Sequence, residues 1–128
     1  MNGYPSEEII RRDIDASFGH VLEEDGKIVG YFAFMPSPEP TYTEIFGGKW
    51  LDNETPYHVI HRLGSYAHVH GIFADVIDYC AARKRNLRID THSDNSIMRH
   101  NIERHGFTYC GVIYLADGSP RLAYQRLD

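Results

Sequence analysis

The segment from Gly71 to Lys84 carries the pattern that most restricts how this chain can fold. Its apolar side chains recur at spacings of three and four residues, which places them on one face of an α-helix. They are Ile72, Phe73, Val76, Ile77 and Cys80. Strand-like segments precede and follow this helix, at 57–65 and 86–92. Since a helix buries such a face against a neighbouring layer, the sequence predicts strands and helices packed in layers.

The other segments complete the order of elements. Asp25-Gly26 joins two apolar segments and readily adopts the positive φ angles of a tight hairpin turn. In chain order we expect a helix at 4–18, a hairpin at 20–36, a loop to Pro56, a strand at 57–65, a helix at 71–84, a strand at 86–92, a helix at 94–107 and a hairpin over 107–127. The loop holds several aromatic side chains between Tyr42 and Trp50, which either pack on the sheet or line a cleft. Residues 1–128 therefore form one α/β (α+β) layered domain with helices on both faces of the sheet.

Composition narrows the range of partners and compartments. The formal net charge is −5, and no cluster of Lys and Arg is present, which argues against nucleic acid as the main partner. The apolar runs are too short to span a membrane, and the N-terminal residues do not resemble a signal peptide. Cys80 and Cys110 lack metal-site spacing and favour buried reduced thiols over a disulfide. We expect a cytoplasmic protein.

Gly71 stands where a loop enters the predicted helix. A helix N-terminus presents unpaired N–H groups and partial positive charge, and a glycine there lets a phosphate approach the backbone. A plain junction between loop and helix would look the same in sequence. The glycine alone therefore leaves both interpretations open.

Histidines near this junction raise a second possibility. His68 and His70 stand two residues apart and could face one metal ion if the segment were extended. The sequence has neither paired Cys/His spacing nor an HExxH motif. The eight histidines are scattered along the chain, so we expect surface and packing roles and no metal.

Longer stretches resemble a known family. The segments "RIDTHSDN", "HGFTYCGVIYL" and "RLAYQ", with "YPSEEIIRRDI" and "IVGYFAF" upstream, are similar to the GNAT superfamily of acyl-CoA-dependent N-acetyltransferases. The resemblance covers nearly the whole chain. It implies a mixed, mostly antiparallel sheet in which the strand at 57–65 splays from the strand at 86–92. It also implies acetyl-CoA as co-substrate, with its pantetheine arm in the gap and its diphosphate at the following helix.

The resemblance implies a set of cofactor-binding positions. The family pattern Gln/Arg-x-x-Gly-x-Gly/Ala aligns with residues 68–73. His68 replaces the usual Arg or Gln, and Phe73 replaces a small residue. The Phe73 side chain either crowds the diphosphate or turns inward with Val76 and Ile77. The full set of cofactor-binding positions is Leu63, Gly64, His68, Val69, His70, Gly71, Ile72, Phe73 and Asn95.

The same resemblance implies direct attack of an unidentified primary amine, on a small molecule or a peptide, upon the thioester. His61 is the leading candidate for the base because imidazole titrates near neutral pH. His92 and Asp90 come second. Relatives carry a tyrosine acid where this chain has Ile102, so Tyr109 or Tyr114 could replace it only by pointing into the cleft. The strand end, Leu63 or Gly64, would hold the oxyanion.

Relatives run further upstream than Met1, so the resemblance implies an N-terminally shortened GNAT-like sheet. The strand "HVLEE" would then lack its usual neighbour and expose an edge. We expect either a homodimer that covers this edge or a weakly active protein. The alternative function is a non-catalytic GNAT-like module that binds acyl-CoA or a protein partner.

Overall fold

Six strands form a single sheet in the part of the chain that a computed structural model describes, residues 18–65 and 71–127. The strands and helices are β1 (Gly19–Glu24), β2 (Lys27–Pro36), β3 (His58–Ser65), α1 (Ile72–Ala81), β4 (Asn86–Thr91), α2 (Ser96–Arg104), β5 (Thr108–Tyr114) and β6 (Pro120–Leu127). Their order in the sheet is β1-β2-β3-β4-β6-β5. Only β3 and β4 are parallel among these neighbours, which confirms a mixed, mostly antiparallel sheet. The helix predicted at 4–18 lies, apart from its last residue, outside the described residues.

The first hairpin forms as its turn residues predict. Asp25 and Gly26 have φ angles of 53° and 79°, and Glu24 pairs directly with Lys27. Two consecutive positive φ angles define a turn whose twist matches that of the flanking strands. This turn fixes the register in which β1 pairs with β2.

Both described helices pack on the same face of the sheet. All five predicted α1 side chains are buried, and Ile102 of α2 is fully buried against the same core. Asn95 caps α2, since its Oδ1 accepts a hydrogen bond of 3.1 Å from the Met98 amide. Cys80 of α1 is a free buried thiol, as predicted, and burial raises its pKa to about 12. No helix among the described residues is long and apolar enough to cross a membrane.

The aromatic loop covers the opposite face of the sheet. Tyr42 and Trp50 are buried there in a second apolar cluster. These two residues therefore pack on the sheet, which was one of the two expectations for the loop. Arg88 of β4 is 1% exposed, and its guanidinium lies 3.9 Å and 3.8 Å from the ring centroids of Trp50 and Tyr57. Its Nη2 also donates to the Asp52 carbonyl oxygen at 2.9 Å. Stacking and hydrogen bonding of this arginine therefore hold the loop on the sheet.

The same loop also closes the outer edge of β5. Phe46 and Val112 exchange two backbone hydrogen bonds of 2.9 Å and 2.8 Å. The approach is so close that a Cβ atom on Gly48 would lie 2.0 Å from the Cys110 carbonyl oxygen, and one on Gly111 would lie 2.7 Å from the Phe46 carbonyl oxygen. Glycine is therefore required at positions 48 and 111, because the two backbones leave no room for a side chain.

Gly48→Ala should lower the free energy of unfolding by about 3 kcal/mol, because the clashing atom belongs to the backbone and cannot rotate away. Gly47→Ala is the matched control. Gly47 has open space around its Cβ position but a φ of 71°, so its substitution should cost only about 1 kcal/mol of left-handed strain. Urea unfolding measures both variants. Equal destabilisation of the two would contradict the close approach.

Candidate functional site

The cleft starts where β3 and β4 separate. The two strands pair only at His58 with Leu87 and at Val59 with Arg88, and they make no later pair. A bulge follows in β3, because Ala33 pairs with His61 whereas Tyr31 pairs with Gly64. Arg62 lies in this bulge with a φ of 56°. The splay implied by the family resemblance is therefore present.

Two adjoining cavities occupy the opening. The first has a volume of about 450 Å³ and the second about 510 Å³. Leu63 and Met98 line both cavities, so the two adjoin, and together they are called the cleft. The first cavity lies between the ends of β3 and β4, and the second extends to the start of α1. The two ends of the cleft carry different chemical groups.

A carboxylate and an imidazole meet at the first end. Glu39 caps a short 3-10 helix (Pro40–Tyr42), and its Oε2 accepts hydrogen bonds of 2.8 Å and 3.1 Å from the amide and hydroxyl of Thr41. Its Oε1 lies 3.1 Å from Nε2 of His61. The hydrogen bond from His61, helped by the Thr41 amide, lowers the pKa of Glu39 from 4.5 to about 2, although burial opposes the shift. Glu39 is therefore a fixed anion in the cavity wall.

A second hydrogen-bonded pair lies beside the first. The Tyr42 hydroxyl donates to Oδ2 of Asp90 at 2.6 Å, and the Tyr42 ring centroid is 6.3 Å from that of His61. Burial raises the pKa of Tyr42 well above its ordinary value, and the Asp90 charge raises it further. Tyr42 thus stays a neutral donor. Asp90 lines the same cavity as Glu39 and His61.

The second end of the cleft is the start of α1. Gly71 has a φ of 82°, and no atom of the described residues lies within 4 Å of its Cβ position. Phe73 is 8% exposed and packs in the helix-side core with Val76 and Ile77, with its ring 5.1 Å from His105. The Phe73 side chain therefore turns inward and does not crowd the position expected for the diphosphate. The first turn of α1 is not blocked by an exposed phenyl ring.

Charge around this helix start is distributed unevenly. Arg104, the last residue of α2, and His105, which follows it, line the same cavity as Gly71. Asp75, the acidic residue in the first turn of α1, instead lines a separate depression beside Tyr79. The side facing the cleft thus combines a helix N-terminus with a guanidinium, which suits an anion.

The structure brings together most of the predicted positions that it describes. Leu63, Gly64, Gly71, Ile72 and Phe73 line the second cavity, and His61, Asp90 and Asn95 line the first. His68, Val69 and His70 fall in residues 66–70, outside the described residues, so their roles stay predictions.

Three predicted catalytic side chains lie away from the cleft. His92 is half-exposed, and its Nδ1 accepts from the Asp94 amide at 3.0 Å. Tyr109 packs against Tyr124, with ring centroids 5.7 Å apart. Tyr114 packs on the Phe46 ring in a different depression. None of the three lines either cavity. Tyr109 and Tyr114 could act as the acid only by pointing into the cleft, and they do not line it.

One further group at the first end, Glu39, escaped the sequence analysis as a functional candidate. Glu39 stands between Pro38 and Pro40, a context that indicates a loop, whereas Tyr42 was already expected either to pack on the sheet or to line a cleft. The one local signal was a proline following an acidic residue, which is typical of a capped helical turn. That signal predicts the turn but not its contact with β3.

Stability should depend on pH through Glu39. A lowered folded-state pKa stabilises the fold above about pH 4.5, and this contribution is lost as the pH falls towards 2. With a discount for partial exposure, Glu39→Gln should lower the free energy of unfolding by roughly 1–2 kcal/mol at pH 7 and by less at pH 3. Denaturant unfolding at both pH values tests this. Glu44→Gln, at an exposed position, is the control and should change stability by less than about 0.5 kcal/mol. An effect of Glu39→Gln that does not change with pH would contradict the lowered pKa of Glu39.

Comparisons with known proteins establish the family. No protein-family model and no curated protein sequence matches the chain. A GNAT-family acetyltransferase from Streptococcus agalactiae superimposes with a TM-score of 0.86 and 32% sequence identity, over 99% of this chain and 75% of that one. A candidate acetyltransferase from Staphylococcus aureus gives a TM-score of 0.69 at 27% identity, over 97% and 81% of the two chains.

A more distant structure shows the fold alone. The ribosomal-protein-alanine N-acetyltransferase from Brucella melitensis has a TM-score of 0.61 at 19% identity, over 94% of this chain and 75% of that one. Together with the splayed strands and the helix start that faces their opening, the identity of 32% over almost the whole chain confirms the resemblance noted in the sequence. The chain belongs to the GNAT family of acetyltransferases.

Proposed function

We propose that this protein is an acetyl-CoA-dependent N-acetyltransferase that acts on a primary amine. The observation that carries the proposal is the cleft between β3 and β4. Its two adjoining cavities are lined by the start of α1 at Gly71 on one side and by the His61 imidazole on the other. A nucleotide thioester has this same polarity, with phosphates at one end and the reactive acyl group at the other.

Acetyl-CoA would lie along the cleft with its diphosphate at the first turn of α1. The N–H groups of that turn, which have no partner within the helix, and the Arg104 guanidinium favour negative charge there. Leu63 and Gly64, on the splayed part of β3, would offer backbone groups to the pantetheine amides. The buried position of Phe73 supports this arrangement, because it keeps the helix start open.

The first cavity is lined by two carboxylates, Glu39 and Asp90, and also by Arg62 and Arg121; we place an acceptor that arrives as an ammonium ion at the carboxylates. Glu39 is anionic at any physiological pH, and Asp90 lines the same cavity. Removal of a proton by His61 yields the free amine that can attack the thioester carbonyl. A new C–N bond forms, the C–S bond breaks, the thioester oxygen returns to a carbonyl, and the nitrogen releases its second proton to solvent.

Two further groups complete the reaction. A backbone N–H at Leu63 or Gly64 would stabilise the oxyanion. Tyr109 and Tyr114 do not line the cleft, and Ile102 is buried, so no tyrosine at these positions supports an acid for the leaving group. Since thiols ionise near about pH 8.5, CoA can leave as a thiolate and take its proton from solvent.

The reaction belongs in the cytoplasm, as the cysteines of the sequence suggest. Cys80 and Cys110 are both free and buried in the part of the chain that the structure describes, which suits a reducing compartment. The homodimer along β1 stays a prediction.

A non-catalytic acyl-CoA-binding module is the competing function. It is favoured by Ile102, which stands where relatives carry the tyrosine acid and is 0% exposed. Such a module would use the same cleft without turnover. Binding and turnover must therefore be measured separately.

Acetyl-CoA at about one hundred times its Kd should stabilise the fold by about 2.7 kcal/mol, which raises the melting temperature by roughly 8 °C. A panel of primary amines should then give acetyl-CoA-dependent thiol release. His61→Ala should keep the melting shift and lose at least about one hundredfold in rate.

Each outcome selects one function. No melting shift would contradict both the enzyme and the acyl-CoA-binding module. A shift without thiol release for any amine would favour the binding module, and unchanged rates in His61→Ala would remove His61 as the base.

A further inference from the structure

We propose that Glu39 is a positioning residue that holds His61 in the tautomer protonated on Nε2, so that Nδ1 is the atom that receives the proton of the amine. The catalytic consequence rests on the function proposed above, whereas the tautomer itself does not. The inference follows from the hydrogen bonds that hold the Glu39 carboxylate, from the hydrogen bond that it can accept from His61, and from the hydrogen bond that engages the neighbouring Tyr42.

The Glu39 carboxylate has a fixed orientation before any substrate binds. Two donors from Thr41 engage Oε2, at 2.8 Å and 3.1 Å. The Glu39 backbone amide also donates to the Tyr57 hydroxyl at 3.0 Å. Capping of the 3-10 helix therefore leaves Oε1 directed at His61, with both side chains only about one-fifth exposed, at 20% and 22%.

The chemistry of the contact assigns the proton. An ionised carboxylate can only accept hydrogen bonds, and the pKa of about 2 keeps Glu39 ionised at neutral pH. The 3.1 Å contact between Oε1 and Nε2 thus requires hydrogen on Nε2 of His61. A neutral imidazole carries one proton, so its lone pair is on Nδ1.

The hydroxyl group of the neighbouring Tyr42 is engaged elsewhere. The Tyr42 hydroxyl donates to Asp90 at 2.6 Å, so this donor is already committed and does not compete for the imidazole. The cavity wall thus holds two separate pairs, one between Glu39 and His61 and one between Tyr42 and Asp90. Sequence separations of 22 and 48 residues show that the fold, and not local geometry, assembles them.

Glu39→Gln tests the inference because an amide can donate as well as accept. In 15N-labelled wild-type protein at pH 8, the His61 imidazole should show an NMR pattern with protonated Nε2 and unprotonated Nδ1. His61→Ala identifies the signals by their loss. Glu39→Gln should shift His61 towards a mixture of tautomers, while the exposed Glu44→Gln leaves the pattern unchanged.

The kinetic arm uses the same variants. Glu39→Gln should lower kcat by about ten- to one-hundredfold, and the melting shift given by acetyl-CoA should remain. Glu44→Gln should retain the wild-type kcat. A purely structural role for Glu39 would lower stability without this separation of kcat from acetyl-CoA binding.

A wild-type spectrum with the proton on Nδ1 would overturn the proposal, and it needs no variant that might fail to fold. Unchanged tautomers or unchanged kcat in Glu39→Gln would also overturn it. Failure of the proposed function looks different: acetyl-CoA gives no melting shift, or His61→Ala keeps its rate, while the wild-type spectrum still reports the tautomer.

Discussion

The rest of the site depends on the early end of pairing between β3 and β4. Two residue pairs join the strands, and the bulge at Arg62 then changes which way β3 directs its side chains. In a regular strand, residues 61 and 63 would face the same side of the sheet. Here His61 contacts the aromatic-loop side, whereas Leu63 packs on the helix-side core. One inserted residue therefore directs the His61 imidazole to one face of the sheet and the Leu63 side chain to the other.

The aromatic loop supplies what the sheet alone cannot. Arg88, buried between Trp50 and Tyr57, fixes the loop across β4, and the pairing of Phe46 with Val112 fixes it on β5. These contacts bring Glu39 and the Tyr42 hydroxyl to the mouth of the cleft. Packing and chemistry are thus coupled, because the segment that covers the second face of the sheet also carries the anion that orients His61.

Sequence reasoning succeeded where the structure is determined locally. The Asp25-Gly26 turn and the buried face of α1 each depend on residues within a few positions of one another. Gly71 was predicted from its place before a helix and from the family pattern, and His61 from its residue type on the central strand; both line the cleft. The contact of His61 with Glu39 could not be predicted, since no pattern within the loop reports which strand it will cross. Tyr109 and Tyr114 show the converse: a suitable residue type in a suitable strand still lies outside the cleft.

A crystal structure of the protein with bound CoA tests the central claim most directly. The account predicts that the pantetheine arm lies between the separated ends of β3 and β4. It also predicts that the diphosphate is within hydrogen-bond distance of the backbone N–H groups in the first turn of α1. CoA bound at any other surface, or β3 and β4 closed together along their full length, would contradict it.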